Sequence, residues 1–104
     1  MNVTKEIKEN QYIKYSISGS LTGTEKSMIR LFETISMKLD ESIKNIIMNI
    51  GKVTYLDSMS IGLIIGLLLK CQEKGIGFKF EDVPDHVKKM LDTAHLKKIY
   101  PDIY

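Results

Sequence analysis

The residues best placed to do chemistry are Asp57, Ser58 and Ser60, at the boundary between a short apolar segment and a long apolar run. A serine at the start of a helix caps free backbone N–H groups, and an aspartate beside it interacts favourably with the positive end of the helix dipole. These residues by themselves leave two interpretations open, a plain helix cap and a functional hydroxyl.

The rest of the sequence offers no base or metal site to activate these hydroxyls. A serine hydrolase needs a glycine-flanked elbow and a histidine that takes the proton. No such elbow occurs, and His86 and His95 are interpreted as surface or helix-end residues. One cysteine, Cys71, and no HxxxH or CxxC pattern give no metal-binding signature. We expect no catalytic residue, metal or cofactor.

A glycine-rich segment, residues 19–23 (GSLTG), resembles a phosphate-binding loop only superficially. The lysine and hydroxyl residue that complete a Walker motif are missing, so the segment is predicted to be a turn.

Composition indicates one soluble domain, residues 1–104, in a reducing compartment. The chain has 43% hydrophobic and 27% charged residues, and fifteen Lys and Arg against thirteen Asp and Glu are mixed along it. This balance gives no nucleic-acid footprint. The longest apolar run, residues 61–69, is less than half the roughly 20 residues of a membrane helix. The polar N-terminus disfavours a signal peptide, which predicts a cytoplasmic protein.

Hydrophobic periodicity predicts alternating strands and helices. Residues 12–18 alternate as a half-buried strand, and residues 3–8 form a weaker strand that pairs with it. A helix is predicted for residues 24–40, with Thr24 as its N-cap. The almost continuously apolar segment 43–50 is typical of a central strand covered on both faces.

The second half of the chain continues the alternation, which predicts a mixed sheet covered by helices. Its predicted features are, in order, a strand end at Gly51 and Lys52, a lead-in segment at 53–56, a largely buried helix Ser58–Glu73 stopped by Gly75 and Gly77, a short strand at 78–81, a helix opened by Pro84, and a short last strand at 98–100.

Residues 53–66, VTYLDSMSIGLIIG, resemble the signature of the STAS domain family, the anti-sigma factor antagonists. In that signature a strand end is followed by Asp-Ser, a small residue, a glycine-rich start and an apolar helix. The resemblance extends over nearly the whole chain. It implies a single STAS-like α/β domain, with a four- to five-stranded mixed β-sheet and helices packed against it.

The resemblance also implies a function. In the family a partner serine kinase, which is also the anti-sigma factor, phosphorylates the serine that matches Ser58. The unphosphorylated protein is then expected to bind the kinase and free the sigma factor. The phosphorylated protein is expected not to bind the kinase. A phosphatase that removes the phosphate is the second expected partner. The protein is expected to be a monomer or weak dimer. The implied partner-binding residues are Asp57, Ser58, Met59 and Ser60 in the signature, and Gly19, Ser20 and Leu21 in the turn.

Two residues depart from the family signature, and two alternatives stay open. Met59 stands where a small Ser or Thr is usual, and Ser60 stands where Gly is usual, which leaves a second hydroxyl near Ser58. One alternative is a STAS scaffold in a stressosome-like or transport assembly, favoured by Met59 and by a chain that ends at Tyr104, where many relatives continue into a last helix. The other is a nucleotide-binding STAS variant, and the only sequence feature that supports it is the 19–23 segment.

Overall fold

A four-stranded sheet in the order β1-β2-β3-β4 forms the centre of the computed structural model, which describes residues 2–8, 12–39 and 42–104. The strands are β1 (Asn2–Lys8), β2 (Tyr12–Leu21), β3 (Asn45–Leu56) and β4 (Gly77–Glu81). The helices are α1 (Lys26–Met37), α2 (Ser58–Glu73) and α3 (Asp85–Thr93), followed by a 3₁₀ turn at Leu96–Lys98.

The sheet is mixed, which confirms the predicted fold class. β1 pairs antiparallel with β2, whereas β2, β3 and β4 run parallel. α1 connects β2 to β3 and α2 connects β3 to β4. Crossovers between parallel neighbours are right-handed, so two successive ones place both helices on the same face of the sheet.

The core lies on that one face. Along β2, Ile13, Tyr15 and Ile17 are buried, while the residues between them are only partly buried. β3 shows the same alternation, with Ile46 and Met48 buried and Ile47 partly buried. The prediction that the 43–50 strand is covered on both faces was therefore wrong, because the helices pack against one face only.

Two strands are longer than predicted, and they carry the end of the sheet towards α2. Residues 19–21 are not a turn, because they continue β2 and pair with residues 53–56 of β3. β3 does not end at Gly51 and Lys52 but passes through two register shifts and runs on to Leu56. An extra residue at a β-bulge lets a strand bend and continue, so a glycine there does not terminate it.

Two further predictions were wrong, one about the start of α1 and one about the C-terminal segment. α1 begins at Lys26, and its N-cap is Glu25 without a side-chain cap hydrogen bond, so Thr24 is not the cap. The predicted last strand at 98–100 is absent, because a 3₁₀ turn ends at Lys98 and the chain turns again before Ile103. The backbone N–H of Phe80 donates to the carbonyl oxygen of Ile103 at 2.6 Å, which places the C-terminal segment against the outer edge of β4.

Candidate functional site

The start of α2 is closed by a reciprocal capping box between Asp57 and Ser60. The Ser60 backbone N–H donates to Asp57 Oδ1 at 2.7 Å, and the Asp57 backbone N–H donates to Ser60 Oγ at 3.0 Å. The Ser60 hydroxyl in turn donates to the Asp57 carbonyl oxygen at 2.8 Å. Asp57 is therefore the N-cap, and Ser58 is the first residue of the helix and not its cap.

The Asp57 carboxylate also holds the loop between β2 and α1. The Gly23 backbone N–H donates to Oδ1 at 2.9 Å and lies 3.2 Å from Oδ2. Hydrogen bonds from the Ser60 and Gly23 N–H groups lower the pKa of Asp57 below its usual value, because they stabilise the charged form. The carboxylate thus joins two neighbouring loops at the carboxyl ends of β2 and β3.

Gly23 is a residue whose role sequence reasoning missed. A Cβ added to it would lie 2.7 Å from the Met59 carbonyl carbon and 2.8 Å from the Ser60 backbone nitrogen. Both atoms are backbone and cannot move aside, so this position has no room for a side chain. The sequence does show Gly23 as the glycine that ends the 19–23 segment. It does not reveal that this glycine packs against the start of α2.

Ser58 and Ser60 occupy opposite environments although they are two residues apart. Ser60 is fully buried, at 0% exposure, and both capacities of its hydroxyl are used in the capping box. Ser58 is exposed, and within residues 2–8, 12–39 and 42–104 no group forms a hydrogen bond with its hydroxyl. The second hydroxyl that the sequence placed near Ser58 is therefore structural, and the accessible one is Ser58.

The other predicted contact residues divide by burial. Met59 is 57% exposed, and Ser20 is exposed at the end of β2. Gly19 is partly buried with a φ of 95°, a conformation that favours glycine. Leu21 is 1% exposed and faces the core, so it shares with Ser60 a supporting position beneath the surface.

Tyr55 is an exposed residue near the site that the sequence did not single out. It pairs in register with Ser20 and is 50% exposed. It lies two residues before Asp57 in the chain, at the end of β3 that leads into α2. An apolar strand sequence gives no signal for such exposure, which depends on the bulge in β3.

The described part of the chain contains no group of three or more His, Cys, Asp or Glu residues that could hold a metal ion. His86 Nε2 lies 3.2 Å from the carbonyl oxygen of Thr54. Cys71 is buried, and burial raises the pKa of its thiol to about 11.

Among the described residues no helix has the length and hydropathy needed to cross a bilayer.

The fold and this capped strand-to-helix junction agree with the family comparison. The sequence model of the STAS domain family matches residues 2–104, so the chain belongs to the STAS domain family. Comparison with curated protein sequences gives no match.

Several solved structures share the fold, among them the three that follow. The unphosphorylated form of the anti-sigma factor antagonist SpoIIAA superposes with a TM-score of 0.79 at 16% identity, over 93% of this chain and 84% of that chain. The phosphorylated form of SpoIIAA, a Bacillus cell fate determinant, gives 0.69 at 16% identity, over 93% and 86%. A sulfate transporter family protein from Wolinella succinogenes gives 0.75 at 14% identity, over 89% and 74%.

Proposed function

We propose that this protein is an anti-sigma factor antagonist whose binding to a kinase-type anti-sigma factor is switched off by phosphorylation of Ser58. The observation that carries the proposal is the exposed, unbonded Ser58 hydroxyl at the first position of a rigidly capped helix. A kinase needs an accessible hydroxyl in a defined position, and the capping box fixes the backbone on both sides of this one.

Phosphorylation at this position leaves the fold intact. A phosphate carries nearly two negative charges at pH 7, and a helix N-terminus stabilises negative charge by about 1 kcal/mol. The neighbouring Asp57 carboxylate opposes this gain by repulsion, but its oxygens are already bonded by backbone N–H groups. These two effects act against each other, so the switch does not work through unfolding.

The effect of the phosphate is exerted at the interface. A partner that covers Ser58 must remove water from a dianion or place it near its own carboxylates, and the loss can reach several kcal/mol. Each 1.4 kcal/mol weakens binding about tenfold. A single phosphate therefore separates a binding form from a non-binding form.

On this proposal the protein is a regulatory binding domain in the cytoplasm and not an enzyme. Its partners are the anti-sigma factor serine kinase and a phosphatase that restores the unmodified form. The solved relative named as an anti-sigma factor antagonist exists in both unphosphorylated and phosphorylated forms, which supports the same cycle here.

Mass spectrometry after incubation with ATP and the kinase-type anti-sigma factor encoded in the same genome tests the proposal. We expect phosphate on Ser58 and none on Ser60, because the Ser60 hydroxyl is fully buried. Ser58→Ala should bind the kinase constitutively. Ser58→Asp should bind at least tenfold more weakly with an unchanged Tm, although one carboxylate is only a partial mimic of phosphate.

Thr24→Ala is the matched control, since it removes another exposed hydroxyl in the loop that Asp57 holds. It should be phosphorylated at Ser58 like the wild type. Phosphate on Ser60, or on neither serine, would contradict the proposal.

A second candidate function is an interaction module in a larger assembly without a sigma factor. The similarity to a sulfate transporter family protein, at a TM-score of 0.75, favours it, as does the exposed Met59 where the family has a small residue. Size-exclusion chromatography separates the two, because this candidate predicts a large assembly and no Ser58 phosphate.

A further inference from the structure

An open apolar groove runs between α1 and α2, starting about one turn beyond Ser58. Its volume is about 390 Å³. Phe32 and Leu67 form its floor, and Ile29 and Leu63 are partly buried in its walls. Met37 borders it with 85% of its surface exposed.

The outer face of α2 continues this apolar surface. Met59, Gly62, Gly66 and Leu69 recur at spacings of three and four residues, so they share one face of the helix. Met59 is 57% and Leu69 is 50% exposed. Together with Met37, these are three of the five large hydrophobic side chains that are exposed in the described residues.

The two glycines have no explanation within the monomer. A Cβ added to Gly62 or Gly66 would have nothing within 4 Å, so neither residue is required by packing. Glycine in an exposed helix interior is unfavourable relative to alanine. What glycine does provide here is a deeper groove, into which another backbone can approach closely.

The position and charge of the groove indicate its occupant. Met59 lies three and four residues before the lining residues Gly62 and Leu63, on the same side of α2 and next to Ser58. A kinase whose active site lies over Ser58 therefore also lies over the upper end of the groove. Met59 to Leu69 spans roughly 15 Å at 1.5 Å per residue, the length of about three helical turns. Glu33 stands on the α1 wall and Lys70 on the α2 wall, giving rims of opposite charge.

We propose that this groove receives an amphipathic helix of the same kinase that modifies Ser58. The helix lays its apolar side over Gly62 and Gly66, with a basic residue near Glu33 and an acidic residue near Lys70. The inference rests on the proposed function, and it adds that the kinase holds the protein at a second place, beyond the phosphorylated residue.

The test fills the groove without disturbing the fold. Gly62→Ala should raise the Tm by a few degrees, because alanine has a higher helix propensity than glycine. The same variant should weaken kinase binding, because the added methyl group narrows the groove. Gly66→Leu should raise the Kd of the complex with the kinase at least tenfold and should lower the kcat/KM for Ser58 phosphorylation in parallel. Thr34→Leu adds the same side chain at an exposed position of α1 outside the groove, and should leave both values unchanged.

The outcomes separate this inference from the function on which it rests. If the wild type is phosphorylated at Ser58 but both glycine variants bind like the wild type, the groove is not a kinase site and the proposed function stands. If the wild type is not phosphorylated, both are wrong. A wild-type dimer in size-exclusion chromatography that Gly66→Leu dissociates would assign the groove to a second copy of the chain and overturn the kinase as its occupant.

Discussion

At the scale of single residues, Asp57 organises the site by accepting hydrogen bonds from two different segments. Its carboxylate receives the N–H of Ser60 within its own helix and the N–H of Gly23 from the preceding loop. These bonds fix the backbone around Ser58 without using the Ser58 side chain. The arrangement leaves the Ser58 hydroxyl exposed and buries the Ser60 hydroxyl as part of the cap.

Asp57 predicts a pH dependence of stability that begins near its ordinary pKa of 3.8. Because the native-state pKa is lowered, the ionised group stabilises the fold at higher pH, and this contribution is lost as the pH falls through the native pKa. The unfolding free energy of the wild type should exceed that of Asp57→Asn by a constant amount between about pH 5 and 7, and the difference should shrink below about pH 4.

Urea denaturation of both proteins across this pH range measures the difference. Glu81 also has a lowered pKa, because Lys14 bonds to it, but it is present in both proteins and cancels in the comparison. A difference that stays constant down to about pH 3 would show that the Asp57 carboxylate is not held by these N–H groups.

At the scale of elements, the site depends on how closely the β2–α1 loop approaches the start of α2. The contact is between backbones, at Gly23 on one side and Met59 and Ser60 on the other. The loop and the helix start therefore form one unit, although they are 34 residues apart at Gly23 and Asp57.

Gly23→Ala should destabilise the protein by about 1–3 kcal/mol, as expected for a side chain forced into a filled space. Gly62→Ala is the matched control, since its Cβ meets nothing within 4 Å, and it should instead stabilise by up to about 1 kcal/mol. Chemical denaturation of the two variants checks the difference in sign. A neutral Gly23→Ala would mean that the loop does not pack against α2.

At the scale of the whole molecule, the two edges of the sheet are formed by β4, against which the C-terminal segment packs, and by β1. The C-terminal segment accepts a backbone hydrogen bond from Phe80, and the Ile103 side chain is 0% exposed. β1 lies at the other end of the sheet and pairs with β2. The last residues of the chain therefore belong to the core and shield β4, which helps to keep this edge from pairing with other chains.

Ile103→Ala should lower the unfolding free energy by about 2–5 kcal/mol, the usual cost of emptying a fully buried isoleucine site. Asp102→Ala, at the exposed neighbouring position, should change it by less than about 0.5 kcal/mol. Thermal or chemical unfolding distinguishes the two. Equal, small effects would show that the C-terminal segment is not docked on β4.

The sequence by itself was sufficient for the mixed sheet and for the bounds of α2, and it singled out residues 57–60 as the candidate site. Each rests on a local signal: strand alternation, a long apolar run, or a polar pair at a strand end. It could not decide whether Ser58 or Ser60 is accessible, because both are small hydroxyl residues and only the capping box consumes one of them.

Long-range packing decided the rest. Residues 19–21 became strand because β3 continues past Gly51 to pair with them, which overrides the local turn preference of glycine. The uniformly apolar α2 sequence concealed which side is buried, and only contact with the sheet and α1 left Met59 and Leu69 exposed. Hydrophobic patterns report burial through periodicity, so a helix that is apolar on every side reveals its open face only in the folded molecule.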